Sequence, residues 1–297
     1  MSVTVRVPAK VNVQLAVGAA RPDGFHDLAN VFLAVGLYDE VTVTPADELR
    51  ITCEGPDAAS VPLDRTNLAA RAAIALAERR GIEPAVHLHI VKDIPVAGGM
   101  AGGSADGAGA LVACDALWRT GASLAELLDI CAELGSDVPF SLVGGAALGL
   151  GRGERLTPLD IGGGFHWVFA MAERGLSTPA VFREFDRLAE GREIPEPTAS
   201  ADLLDALAKG DPDALAATLS NDLQPAALSL YPELSDTLAA GRDAGALATL
   251  VSGSGPTTAF LTRDPESAAK VAEALRVSGT CRTVRVASGP APGALVV

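Results

Sequence analysis

Residues 95–108 read Pro-Val-Ala-Gly-Gly-Met-Ala-Gly-Gly-Ser-Ala-Asp-Gly-Ala. Before them, Val86–Ile94 alternates like a strand, with Val86, Leu88 and Ile90 on one face. After them the pattern becomes helical, with Leu111, Cys114, Leu117 and Trp118 on one side. The order is strand, glycine loop, helix. Gly98, Gly99, Gly102 and Gly103 lack Cβ atoms, so successive backbone N–H groups can approach a ligand closely. A helix starting at Ser104 adds about half a positive charge there, which suits phosphate. A flexible turn has the same glycine content, and the local sequence leaves both readings open. Two familiar phosphate loops are excluded. Gly103 is followed by Ser104 and Ala105 rather than by the lysine of a Walker A loop, and G-x-G-x-x-G does not occur in this run.

A phosphate cradle of this kind answers a need set by composition. The 297 residues carry a formal net charge of −14, a field that repels nucleic acid and anionic membranes at long range. An anionic substrate must then be received by local N–H groups or a few basic side chains, within a Debye length of about 8–10 Å. Residues are 48% hydrophobic and 4% aromatic, so Ala, Val and Leu must fill most of a sizeable core. Cys53, Cys114, Cys131 and Cys281 show no C-x-x-C spacing and read as small core residues. The opening MSVTVRVPAKV lacks the apolar run of a signal peptide, and no stretch of about 20 apolar residues could span a bilayer. A cytoplasmic location is expected.

Outward from the loop, Val3–Val7, Val11–Val17, Val31–Leu37 and Glu40–Val43 read as short strands, broken by Pro8, the Arg21–Gly24 turn and Asp39. After Asn67 a helix places Leu68, Ala72, Ala75 and Leu76 on one face and stops at Gly81. Another begins at Ser123, paired with Glu126 as a capping box, turns Leu124, Leu127, Leu128 and Cys131 inward, and stops at Gly135. From Phe165 a new strand, helical stretches, a connection at 191–198 and a closing helix–strand pair (Pro265–Leu275, Thr283–Ala287) form a second unit. Strands and helices do not alternate cleanly, so α+β is favoured over a doubly wound sheet. The expected domains are residues 1–155 and 156–297.

The run P-x-x-x-G-x-x-G-G-S entering a helix resembles the phosphate-binding motif of the GHMP kinases. The rest of the chain is most similar to the diphosphocytidyl-methylerythritol kinases within that family. Their ordered signatures match Ala9-Lys10-Val11-Asn12, Arg21-Pro22-Asp23-Gly24-Phe25-His26, Leu37-Tyr38-Asp39 and Asn67-Leu68. They continue as Gly135-Ser136-Asp137-Val138-Pro139-Phe140, Asn221-Asp222-Leu223 and Ser252-Gly253-Ser254-Gly255-Pro256. The resemblance implies a two-domain GHMP kinase fold, with an N-terminal domain like domain 2 of ribosomal protein S5 and a ferredoxin-like C-terminal domain.

It further implies that ATP binds at Pro95, Val96, Ala97, Gly98, Gly99, Met100, Ala101, Gly102, Gly103, Ser104 and Ala105, with Asn67, Lys92 and Asp106 near the nucleotide. Asp137 would be the catalytic base, with Lys10 beside it keeping the carboxylate ionised and offsetting charge in transfer. On the residues alone, Asp137 could as well cap a turn before Pro139, and Lys10 could be a solvated strand end. Asn12, Phe25, His26, Thr178, Pro179 and Phe182 would surround a cytidine-diphosphate-linked polyol, with the cytosine between aromatic faces and hydrogen-bonded at His26. Core packing is the alternative for Phe25 and Phe182. Magnesium would come with the nucleotide and the protein would hold no metal of its own. Nucleic acid and membrane are not expected as partners, and the chain would be a monomer or weak homodimer. A mevalonate- or homoserine-type kinase or a non-catalytic relative is the competing reading; R-P-D-G-F-H and the Lys10/Asp137 pair argue against them.

Three positions depart from the family pattern: Phe25 for a frequent tyrosine, Ala105 for a serine, and Asp106 for an asparagine. His87 and His89, two apart on a strand, face solvent in this reading and lack a third metal ligand.

Overall fold

Val- and Ala-rich alternation from position 3 onward builds a hairpin of two long strands, β1 (Val3–Ala20) and β2 (His26–Pro45), in the computed structural model, which describes residues 2–297. Both strands run on where interruptions were expected. Pro8 sits at a register shift in the β1–β2 ladder, where the missing N–H costs little. Asp39 stays within β2 because its carboxylate, fully buried, accepts the N–H groups of Asp93 and Ile94 at 2.7 and 2.9 Å. The turn at 21–24 closes as expected, with Gly24 N donating to Arg21 O.

β3 (Arg50–Glu54), α1 (Leu68–Arg80), β4 (Val86–Val91), α2 (Gly102–Trp118), α3 (Leu124–Leu134) and α4 (Val138–Val143) follow, then β5 (Ala146–Gly151) and β6 (Arg155–Pro158). The strands join one sheet in the order β12-β1-β2-β4-β3, where β12 is the chain's last strand (Leu295–Val296), and β5 extends β2 and carries β6. α2 lies directly on the hairpin. At Gly109 a Cβ would come within 2.9 Å of Val7 and Val41 methyls, so only glycine permits this approach. Ser123 caps α3 by accepting from Glu126 N, but the Glu126 carboxylate pairs with Arg80 instead of turning back, and Leu124 is exposed rather than inward.

The chain then enters β7 (Phe165–Met171), α5 (Thr178–Ala189), α6 (Ala201–Lys209), α7 (Pro212–Thr218), β8 (Ser220–Asn221, parallel to β1) and α8 (Gln224–Leu230). It closes with α9 (Leu234–Asp243), β9 (Ala248–Val251), β10 (Thr258–Thr262), α10 (Pro265–Ser278) and β11 (Thr283–Gly289). The second sheet has the order β11-β7-β10-β9 and is antiparallel throughout. With α9 and α10 on one face, this is the ferredoxin-like arrangement. Alternation along β7 explains its two-sided burial. Val168 and Ala170 meet α10, whereas Phe165, Trp167 and Phe169 join the core shared with the first sheet. The chain changes sheets between Pro158 and Phe165, just beyond the 155/156 division, and β8 and β12 return to the first sheet. Cys114 and Cys131 are core residues as expected, but Cys53 and Cys281 are only half-buried.

Candidate active site

Two-residue spacing on a strand puts Lys10 and Asn12 on the same face of β1. There they meet the glycine loop. Lys10 Nζ donates to Asn12 Oδ1 at 2.6 Å and to Gly99 O at 2.9 Å, and lies 3.6 Å from Asp137 Oδ2. Three acceptors thus surround an almost wholly buried ammonium. Burial pulls the Lys10 pKa below the usual lysine range, and Asp137 opposes that pull. Asn12 in turn donates to Asn30 Oδ1 on β2 at 2.6 Å. The solvated-strand-end reading of Lys10 is therefore set aside.

Asp137 occupies the N-cap position of α4, yet its side chain makes no capping hydrogen bond. It is partly open to a cleft of about 610 Å³ that also takes in Lys10, Gly98, Gly99, Gly102, Gly103 and Ser104. The α2 start supplies amides without intrahelical acceptors. The loop's path is forced: Ala97 and Ala101 have φ of 52° and 62°, left-handed values that cost about 1–2 kcal/mol each. Contacts hold it there. Ser252 Oγ donates to Gly99 O at 3.1 Å and Thr257 N to Gly98 O at 3.2 Å.

Of the residues expected at the nucleotide, Pro95, Ala97, Gly98, Gly99, Ala101, Gly102, Gly103 and Ser104 line the cleft. Met100 and Ala105 point into the core, so the absent serine hydroxyl at 105 would have faced away from it. Val96 turns outward toward Asp57. Asn67 caps α1, accepting from Ala69 N at 2.8 Å, and does not reach the cleft. Lys92 and Asp106 lie beneath the loop. Lys92 Nζ bridges Asp39 and Asp106, the latter at 2.9 Å. Burial pushes Asp106 up to about 8. Lys92 stays fixed as the cation between two acids, its pKa raised by them against burial.

The far end of the cleft is aromatic. Phe25 is 49% exposed, so it is not core, and the Arg152 guanidinium lies 5.1 Å from its ring centroid. Phe182, on the second turn of α5, packs on His26 at 4.9 Å, and Thr178 Oγ1 meets Ser254 Oγ at 2.9 Å. Pro179, Arg183 and Asp186 complete that wall. Sequence reasoning missed Arg152, Arg183 and Asp186. Asp186 follows Phe182 by four residues, one helical turn, and that spacing was the available signal. It also missed why N-D-L recurs: Asn221 donates to Val251 O and Gly253 O at 2.7 Å each, and Asp222 accepts from Val17 N.

A second hollow of about 530 Å³ near Gly18, Asp27 and Arg155 has neither a glycine loop nor a lysine–aspartate pair. His87 and His89 are half-buried, both bonded to Thr52 Oγ1. Among the described residues no group of three or more metal-ligating side chains occurs, and no helix is long and apolar enough to cross a membrane.

Comparison with known proteins agrees with this architecture. The GHMP kinases N terminal domain matches residues 67–145 and the GHMP kinases C terminal domain residues 203–279. The 4-diphosphocytidyl-2-C-methyl-D-erythritol kinases of Streptomyces avermitilis and Streptomyces coelicolor are 81% and 79% identical, each match covering 100% of both chains. A crystal structure of 4-(cytidine 5'-diphospho)-2C-methyl-D-erythritol kinase superimposes with a TM-score of 0.77 at 32% identity, over 96% of this chain and 98% of that one. With its lysine–aspartate pair set against a glycine loop between an S5-like and a ferredoxin-like unit, the chain belongs to the GHMP kinases, among the 4-diphosphocytidyl-2-C-methyl-D-erythritol kinases.

Proposed function

We propose that the chain transfers the γ-phosphoryl group of ATP to the 2-hydroxyl of 4-diphosphocytidyl-2-C-methyl-D-erythritol, giving the 2-phosphate and ADP, a step of the non-mevalonate isoprenoid route. The observation that carries this is one cleft holding a phosphate cradle, the Lys10–Asp137 pair and an aromatic wall at Phe25 and Phe182. The Asp137 carboxylate takes the proton of the attacking hydroxyl as its oxygen bonds to phosphorus. The Lys10 ammonium offsets charge on the transferring group, and the loop amides hold the phosphates of ATP in line. Cytosine stacks between Phe25 and Phe182, with Asn12, His26, Thr178 and Pro179 around the rest of the substrate.

Magnesium fits this donor set as an ion carried by the nucleotide. The catalytic end presents one carboxylate, Asp137, so phosphate oxygens and water would supply most of its shell. When bound it neutralises charge on the phosphates. The field of a −14 protein fits a small-molecule partner rather than nucleic acid or an anionic membrane, in a cytoplasmic monomer or weak homodimer.

Purified protein with ATP and magnesium should phosphorylate the cytidine-diphosphate polyol far faster than mevalonate, homoserine or galactose. Comparable rates on any of these three would overturn the substrate reading.

A further inference from the structure

His26 enters the cleft from the first residue of β2 with its ring held on three sides. Phe182 packs on its face at 4.9 Å and Phe185 meets it edge-on at 5.9 Å. Asp186 Oδ1 lies 2.8 Å from Nε2. All three holding groups come from α5, with Asp186 one turn beyond Phe182, so a single helix face supplies both an aromatic wall and a carboxylate. The imidazole side chain is only 4% exposed, so its rotation is fixed by this packing.

A carboxylate accepts hydrogen bonds and donates none. The neutral imidazole must therefore carry its proton on Nε2, which leaves Nδ1 with a lone pair. Nδ1 makes no hydrogen bond among the described residues, and it is not one of the atoms sealed away without a partner. On the neutral ring it meets a ligand only as an acceptor.

We propose that Asp186 is a positioning residue that locks His26 as the Nε2–H tautomer, so that Nδ1 selects a pyrimidine presenting an exocyclic amine over one presenting a carbonyl. This rests on the reading above that the base lies between Phe25 and Phe182. Cytosine offers an amine at its fourth position and satisfies the lone pair. Uracil puts a carbonyl oxygen there, so its lone pair would face that of an imidazole that is itself only 4% exposed. Sites that leave a buried polar group unpaired reject the wrong ligand far more strongly than hydrophobic pockets reject a size change.

The test compares kcat/KM for the cytidine- and uridine-diphosphate forms of the substrate in the wild type and in Asp186→Asn. The asparagine amide can either accept from or donate to Nε2, so it imposes no tautomer. The wild type should prefer the cytidine form by at least about a hundredfold. Asp186→Asn should lower that ratio at least tenfold through the KM of the cytidine substrate, with the KM for ATP unchanged. The carboxylate is 41% exposed, so the fold should tolerate the change. Nitrogen-15 chemical shifts of the His26 ring in the wild type report the tautomer directly, whatever the variant does. A proton on Nδ1, or an unchanged ratio in Asp186→Asn, overturns the role of Asp186 alone. A wild type that does not distinguish the two bases overturns the base-binding reading and this inference with it.

Discussion

Asp137 and Lys10 come from elements 127 positions apart in sequence, 137 minus 10, and meet at 3.6 Å, with Lys10 also tying β1 to the glycine loop through Gly99 O. Asp137 forgoes the cap its position offers, and the Lys10 ammonium is buried, where loss of water disfavours its charge. Asp137→Asn keeps the shape but cannot take up the hydroxyl proton. Turnover should fall by about 10²–10⁴-fold with an unchanged melting temperature, and Lys10→Ala should also impair turnover. The double variant should lose less than the product of the two effects, because groups acting as a unit share their contribution. Steady-state kinetics on the three variants checks this, and near-normal turnover in Asp137→Asn removes it from the base role. Asp106 makes a different kind of demand. Its folded value of about 8 stands above the usual carboxylate 3.8, first because of burial. Between those values the folded chain holds a proton that the unfolded chain has released, so stability is full below 3.8 and is lost as pH rises toward about 8. Asp106→Asn removes that proton and leaves Asp39, whose pKa burial also raises, as the acid on Lys92. Its melting temperature should fall less steeply than the wild type's across that window, and parallel curves would refute the assignment. The Lys10–Asp137 pair could be anticipated from A-K-x-N and GSDVPF. The position of Lys92 and Asp106 beneath the loop could not, since proximity in sequence to the glycines does not say which way a helix face turns.

The glycine loop is the element on which the site depends, and its glycines are not equivalent. Gly99 has φ of 76°, and a Cβ there would lie 2.0 Å from Ser252 O. Gly103 has only Leu68 Cδ1 near, at 3.8 Å. Gly99→Ala must therefore displace the loop, raising the KM for ATP more than tenfold and lowering the melting temperature. Gly103→Ala should leave the melting temperature unchanged and disturb only ATP, because its added methyl meets only Leu68 Cδ1, at an ordinary contact distance, and otherwise faces the cleft. Paired thermal melts and ATP titrations separate the two; equal melting temperatures would mean that the loop yields at Gly99 without strain. The strand–loop–helix order was legible because periodicity changes sharply at Pro95. The left-handed alanines at 97 and 101 were not, because Ala gives no hint of φ above zero, and only the packing around the loop imposes it. Likewise Pro8 and Asp39 read as breaks because each is unfavourable in an ordinary strand. A register shift at one and buried amide donors at the other reverse that local preference.

Across the molecule the two sheets are joined at the site itself, by the loop at 252–256 that leaves β9. Ser252 reaches the glycine loop and Ser254 reaches Thr178 at the start of α5, so one short segment touches both the nucleotide end and the substrate wall. Gly253 approaches so closely that a Cβ would lie 3.1 Å from both Lys10 Nζ and Asn12 Oδ1. What fixes this segment is Asn221, on the strand that pairs with β1, through its two 2.7 Å donations to Val251 O and Gly253 O. The motif N-D-L was visible in sequence, but its partner lay 30 residues away and across a change of sheet, a relation that local pattern does not encode. Asn221→Ala leaves both carbonyls without their donor, at about 1–3 kcal/mol for each such group that stays buried. The loop should then loosen at both ends. The expected result is a rise of several-fold in the KM for ATP and in the KM for the cytidine substrate together, with a lower melting temperature. Turnover at saturation should change much less, because Lys10 and Asp137 stand on β1 and at the start of α4, which Asn221 does not hold. That pattern is the converse of Asp137→Asn, where turnover falls and binding persists. A rise in only one of the two KM values would mean that the loop serves one ligand, and that the halves of the cleft are held independently.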